Sequence, residues 1–346
     1  MTDKSKIIAI HHRPGSFSDR WEKYCEENEI PFKPVNCYSS EIIDQIQNCS
    51  GLMWHWDHSD YRAQIFARQL IVSIEKMGIK VFPDFNTCWH FDDKVGQKYL
   101  LEAVKAPLVP SYIFYDKKEA LNWINKTAFP KVFKLRGGAG SNNVKLVKNV
   151  CKAKKLIKKA FRQGFPLIDK IAGFKQRIWV LKRDKNIKSI IHLIKGLIRL
   201  IYPNDDSRLL PRQKGYVYFQ DFIPHNTFDD RIVVIGNKAI AIRRQNRQGD
   251  FRASGSGLIS HTYRQFNIVT VKTAFDVADQ LNSQSLAFDF VYDEAGNPLI
   301  VEISYAYSMG NAYDSCPGYW DKDLHWHEEN INPQHFIIED FIHSLK

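Results

Sequence analysis

The chain has 346 residues, room for two to three domains at roughly 150 residues each. With 44% hydrophobic and 25% charged residues it lies near globular averages, which excludes intrinsic disorder, and no apolar run approaches the ~18 residues of a membrane span. The formal charge of +11 is uneven: Lys145 to Lys214 hold 20 Lys/Arg against 4 Asp/Glu, an excess of +16 that leaves −5 elsewhere.

Apolar β-type runs at 7–10, 31–35, 51–54 and 79–82 alternate with helix-type stretches at 18–28, 41–47 and 61–77. That order predicts a parallel sheet covered by helices. No G-x-G-x-x-G follows the first run and no G-x-x-x-x-G-K-[ST] occurs, which excludes the dinucleotide fingerprint and the P-loop. A helix at 92–104, a strand at 111–115, a helix at 117–125 and a strand at 130–134 come next. A glycine-rich loop, a strand at 143–147 and a lysine-rich helix at 151–161 complete a compact α+β module.

Residues 186–202 read as a basic amphipathic helix, with Lys188, His192, Lys195 and Arg199 on one stripe and Ile187, Ile190, Ile191, Ile194, Ile198 and Ile201 on the opposite face. Such a helix either lies on a membrane surface or packs on the protein's own core or a dimer partner. The basic middle as a whole fits a polyanionic partner or a solvated face. The rest reads as antiparallel strands at 217–223, 231–235, 239–244, 286–292 and 299–304. The six cysteines form no CxxC pair, so neither a disulfide framework nor a zinc site is expected, and a cytoplasmic setting is.

Three groups of residues suit chemistry. The loop Lys134-Leu135-Arg136-Gly137-Gly138-Ala139-Gly140-Ser141 is either a phosphate-binding flap, with unshielded backbone N–H groups and a lysine, or a flexible surface hairpin. Asp289 and Glu302 sit inside two apolar strands joined by a Gly-Asn-Pro turn. Buried carboxylates need a cation, either Mg²⁺ or arginine and backbone donors. The run Gln220-Asp221-Phe222-Ile223 ends a strand where backbone groups can meet an adenine edge, and Arg243, Arg244 and Arg252 follow as candidates for anion binding.

In this order the residues resemble the ATP-grasp superfamily, especially its ribosomal-protein glutamate ligase and glutathione synthetase branch. The likeness covers about residues 84–310. It rests on Asp93-Lys94, Pro130 to Lys134 with the glycine loop, Gln220 to Ile223, Asp230 to Gly236, Gly249 to Arg252, and Asp289 with Glu302. It implies three units: an N-terminal α/β domain at 1–86, a lid subdomain with a basic insertion at 87–215, and a C-terminal subdomain carrying the metal site at 216–346. It further implies ATP and Mg²⁺ between the last two, with Lys94, Lys134, Gly137, Gly138, Gly140, Ser141 and Asp230 on the nucleotide and Gln220, Asp221, Phe222 and Ile223 at its base. Asp289, Glu302 and Ser304 would hold Mg²⁺, and Arg252 and Arg243 would face the transferring phosphoryl group. Ser304 stands where the branch usually has Asn, and Ala253 follows Arg252 where Asn is usual.

The activity implied is an ADP-forming carboxylate–amine ligase working through an acyl phosphate. Its partners would be a small-molecule or glycan carboxylate and an amine, for instance an acidic sugar of a cell-surface polysaccharide, with peripheral membrane contact through 186–202. Two rivals are an ATP-grasp phosphotransferase and a basic nucleic-acid-binding protein, although the basic stretch matches no nucleic-acid module. Trp54-His55-Trp56-Asp57-His58 ends a predicted strand and either meets a sugar or acceptor or packs between domains. Residues 305–326, rich in aromatics, are expected to wall the acceptor pocket, with His325 and His327 in ordinary polar contacts.

Overall fold

The four apolar runs at the start of the chain pair in parallel. In the computed structural model, which describes residues 7–58, 60–138, 143–201, 209–247 and 249–345, β1 (Ile8–His11), β2 (Phe32–Val35), β3 (Gly51–Met53) and β4 (Lys80–Phe82) form a sheet ordered β2-β1-β3-β4. Helices α1 (Phe17–Glu27), α2 (Ile42–Ile46) and α3 (Tyr61–Lys76) connect them. The Ser16 and Asp60 side chains cap α1 and α3 by accepting from the backbone N–H groups of Ser18 and Arg62. β1 is buried along its whole length, as expected of a central parallel strand.

After the short α4 (Phe85–Cys88) and α5 (Lys94–Ala103), a second sheet forms from β5 (Ser111–Phe114), β6 (Lys131–Lys134), β7 (Lys145–Val147) and β8 (Val217–Asp221), ordered β5-β8-β6-β7. Helices α6 (Lys117–Ile124) and α7 (Val150–Arg162) cover it, burying Ile124 and Ile157 against Phe133 and Phe219. The expected boundary after residue 215 falls one strand early, because β8 pairs with β5 and β6 and completes this small sheet. Between α7 and β8 the chain inserts α8 (Lys170–Asp184), for which no helix was expected, and α9 (Ile187–Ile201).

The third sheet is antiparallel and seven-stranded: β9 (Phe228–Ile235), β10 (Lys238–Gln245), β11 (Ile259–Ser260), β12 (Ser285–Tyr292), β13 (Pro298–Ser304), β14 (Gly318–Asp321) and β15 (Trp326–Glu328). The path is β13-β12-β9-β10-β14-β15, with β11 beside β10. Helices α10 (Ile268–Gln280), α11 (Asn311–Asp314) and α12 (Pro333–Ser344) complete the chain. The turn from β9 to β10 uses Gly236 at φ +50, where a Cβ would stand 2.0 Å from Asp340 Oδ2, so only glycine fits.

The first and third sheets share core. Phe17, Trp21 and Phe82 pack in one cluster with Ile337 and Phe341 of α12. Arg20 of α1 grips Asp314 in bidentate fashion, at 2.8 and 2.7 Å. Among the described residues no helix is long and apolar enough to cross a membrane.

Candidate active site

A cleft of about 570 Å³ separates the small sheet from the large one. Lys94, Val132, Lys134 and Gly138 line one wall, while Arg231, Asp289, Glu302 and Ser304 line the other. Arg13, His55, Asp57 and His58 of the first unit close one end.

Lys134 is the last residue of β6 and is buried. Among the described residues no carboxylate lies within ion-pair distance of its ammonium. Burial pushes its pKa down to about 8, and the neighbouring Lys94 adds to the effect while Glu302 offsets part of it. Lys94 opens α5, whose N-cap Asp93 accepts from the Gly96 N–H at 2.9 Å. The Lys94 ammonium meets Glu302 Oε1 at 2.9 Å and donates to the Gly138 carbonyl at 3.0 Å. Burial disfavours this charge, but Glu302 and Asp92 outweigh it and hold the group above its ordinary value.

The start of α5 also fastens the base of the glycine loop. Asp92 accepts from the Gly138 N–H at 2.7 Å, the Lys94 N–H donates to the Arg136 carbonyl at 2.8 Å, and Arg136 pairs with Asp93 at 2.6 Å. A Cβ on Gly137 would stand 2.9 Å from Asp92 Oδ2, so a side chain here would press on the Asp92 carboxylate that holds Gly138. Gly140 and Ser141 lie outside the described residues.

On the opposite wall Asp289 and Glu302 are direct partners in the β12–β13 ladder, so their side chains share the cleft face, with Ser304 two residues on. Both acids already hold cations. Arg231 grips Asp289 at 2.6 and 2.8 Å, and Arg244 adds a contact at 2.9 Å while binding Asp229 at 2.6 and 2.7 Å. Burial works against the Asp289 carboxylate, yet Arg231 and Arg244 outweigh it and push its pKa far below the carboxylate range. The available donors are two carboxylates and a hydroxyl, a hard-oxygen set that suits Mg²⁺ carrying phosphate oxygens. Glu302 is the more open of the two acids.

Asp230 and Arg243 were expected in the site and are not there. Strand alternation turns them to the far face of β9 and β10, where they pair at 2.7 and 2.8 Å and Arg243 stacks on Phe228. The cleft positions belong instead to Asp229 and Arg231, with Arg244 bound to Asp229. Arg252 does line the cleft, held by Asp250.

Gln220, Asp221, Phe222 and Ile223 all line the cleft at the end of β8. The Gln220 amide donates to Ser111 Oγ at 3.1 Å, and the Asp221 carboxylate is taken by Lys131. Val109, Val132 and Val301 add apolar lining to the same cleft, suited to a flat ring.

At the far end, Trp54 and Trp56 are buried, packed with His11, Tyr38, Phe66, Phe91 and Tyr305, so neither indole offers a stacking face. The polar residues between and after them face the cleft instead. His55 Nδ1 accepts from the Arg13 guanidinium at 3.4 Å, and burial followed by Arg13 pushes its pKa down to about 3, leaving a neutral ring. Tyr307, Ser308 and Met309 contribute to the cleft lining, whereas His327 binds Asp321 at 2.7 Å on the outer hairpin.

No protein-family model and no curated protein matches the chain. Solved structures do match it. D-cycloserine synthetase has a TM-score of 0.57 at 11% identity, over 98% of this chain and 100% of that one. D-alanine–D-alanine ligase from Bacillus anthracis has 0.54 at 13% identity, over 98% of both. The RimK domain ATP-grasp protein from Sphaerobacter thermophilus has 0.52 at 12% identity, over 86% of this chain and 90% of that one. The chain therefore has the ATP-grasp fold, as the sequence resemblance implied.

Proposed function

We propose that the protein is an ADP-forming, ATP- and Mg²⁺-dependent carboxylate–amine ligase. The observation that carries this reading is Lys134: a buried ammonium beside a second lysine, facing the cleft and with no carboxylate within ion-pair distance among the described residues, is completed by an anionic ligand. A triphosphate supplies that charge, its base fits the apolar lining beside Gln220 to Ile223, and Gly138 at the base of the glycine loop lines the same cleft. Glu302, Asp289 and Ser304 would hold Mg²⁺, which neutralises phosphate charge when bound. The ligase and synthetase names of the matched structures support the same class.

In the proposed reaction a substrate carboxylate oxygen attacks the γ-phosphorus and ADP leaves. The amine nitrogen then attacks the acyl carbon, the amide forms, and phosphate departs as the nitrogen loses its proton. Arg231 and Arg252 line the same cleft and can steady developing negative charge. At the acceptor end, Arg13 has its Nε–H buried without a hydrogen-bond partner, which favours a substrate with an anionic group. An acidic sugar of a cell-surface polysaccharide meets that requirement.

The test is ADP release over a panel of uronic acids, amino acids and ammonia, followed by product mass. The proposal expects a condensation product with equimolar free phosphate. A phosphorylated hydroxyl product would identify a phosphotransferase instead.

A further inference from the structure

The α8–α9 hairpin carries a surface that the cleft does not use. α9 turns Ser189, Leu193 and Gly196 away from solvent, and at Gly196 a Cβ would stand 2.5 Å from Arg177 Cδ, so the Arg177 side chain of α8 packs directly on the α9 backbone there. That choice of buried face leaves the other one bare. Ile187, Ile190, Ile191, Ile194, Leu197 and Ile198 are each 44–75% exposed. At 100° per residue they span an arc of ~120° along a helix ~22 Å long. Elsewhere among the described residues, large exposed apolar side chains occur singly or in pairs.

Charge around this face is mainly positive, with Asp184 the one exposed acid among the described residues of the two helices. α9 contains no acidic residue, Lys195 and His192 are exposed beside the apolar arc, and Lys182 and Lys185 are exposed just before it. The whole stretch from Lys145 to Lys214 carries the +16 excess. We infer that the α9 face is a docking surface for an anionic lipid bilayer, with the isoleucines entering the acyl boundary and the lysines meeting lipid phosphates. A second copy of the chain would cover the apolar arc equally well but would bring another +16 segment against the first, so charge complementarity selects the lipid. The hairpin also reaches the active cleft: Arg247 lies over the Trp179 ring of α8 at 5.3 Å, and its neighbours Asn246 and Phe251 line the cleft. This inference stands independently of the ligase reading.

The experiment is co-sedimentation of the full chain with phosphatidylcholine vesicles, with and without phosphatidylglycerol, at low and high salt. Binding is expected only with phosphatidylglycerol, weakened by salt, and reduced at least about tenfold in an Ile191→Ser/Ile194→Ser/Ile198→Ser variant. Circular dichroism and thermal melting of the variant, with its replacements on an exposed face, should match the parent. Lys195→Glu provides a second check by charge reversal and should weaken binding without touching the apolar arc. No partition of the parent chain onto phosphatidylglycerol vesicles, or equal binding by the triple variant, would overturn the inference. So would a parent dimer in sedimentation velocity that the triple variant loses while neither binds vesicles.

Discussion

Lys94 Nζ and Glu302 Oε1 lie 2.9 Å apart, joining the first turn of α5 to the middle of β13 across the cleft. The lysine is buried and the carboxylate faces the opening, so the pair holds a cation and an anion where a triphosphate and its metal would each need one of them. Arrival of the nucleotide should exchange this contact for lysine–phosphate and carboxylate–metal contacts.

From that exchange, Glu302→Gln should retain nucleotide affinity, because Lys94 is released toward the phosphates. Turnover should fall at least about 100-fold, because the more open of the two proposed metal ligands is lost. Parallel titrations of nucleotide and of Mg²⁺-dependent ADP release check both halves. Turnover that survives with an unchanged Mg²⁺ requirement would remove Glu302 from the metal.

Asp289 should behave differently. Removing its charge leaves Arg231 and Arg244 buried around a neutral group, and breaking a buried pair in this way costs about 3–5 kcal/mol. Asp289→Asn is therefore expected to lower the thermal midpoint as well as activity. Differential scanning calorimetry should show the shift, and an unchanged midpoint would mean the arginine clamp contributes little.

Nucleotide affinity should depend on pH through Lys134. Its pKa of about 8 lies below the ordinary 10.5, so the ligand-free protein sheds this proton through pH 8 and should lose nucleotide affinity above it. In the same window the unfolded chain binds the proton that the native one has lost, so ligand-free stability should rise between pH 8 and 10.5. Lys134→Arg, whose charge persists, should flatten the affinity profile. A profile unchanged by that substitution would assign the titration elsewhere.

Three buried histidines set the acid limit. His55 is pushed down to about 3, and His11 and His90 to about 4, all by burial first, against an ordinary value of 6.5. The unfolded chain takes up these protons from 6.5 downward while the native chain does not, so stability should be lost as pH falls from 6.5 toward 4. Melting curves across that range check it, and a midpoint constant from pH 7 to 4.5 would contradict it.

Much of this was legible because local signals agreed. Alternating apolar runs and helix-type stretches in the first 85 residues became β1 to β4 and α1 to α3, and Asp93 next to Lys94 marked the helix start that carries the lysine. What failed was parity. Ile232, Val233, Val234 and Ile235 are buried on both faces of β9, so hydrophobicity does not reveal which neighbours point into the cleft, and a one-residue shift exchanged Asp229 and Arg231 for Asp230. Pairing supplies the missing register, because Asp289 lies opposite Arg231, and Arg244 opposite Asp229. Helix α10 was missed for a different reason: its opening residues Ile268, Val269, Thr270 and Val271 are β-branched, and tertiary packing of Val271 and Phe275 overrides that preference.

The most direct measurement is calorimetric titration of Mg²⁺–nucleotide into the full chain and into Lys134→Ala. Saturable binding at one site is expected, weakened roughly 10- to 100-fold by the substitution. Absence of binding to the parent chain, or equal affinity in the two proteins, would contradict the assignment of this cleft to a nucleotide.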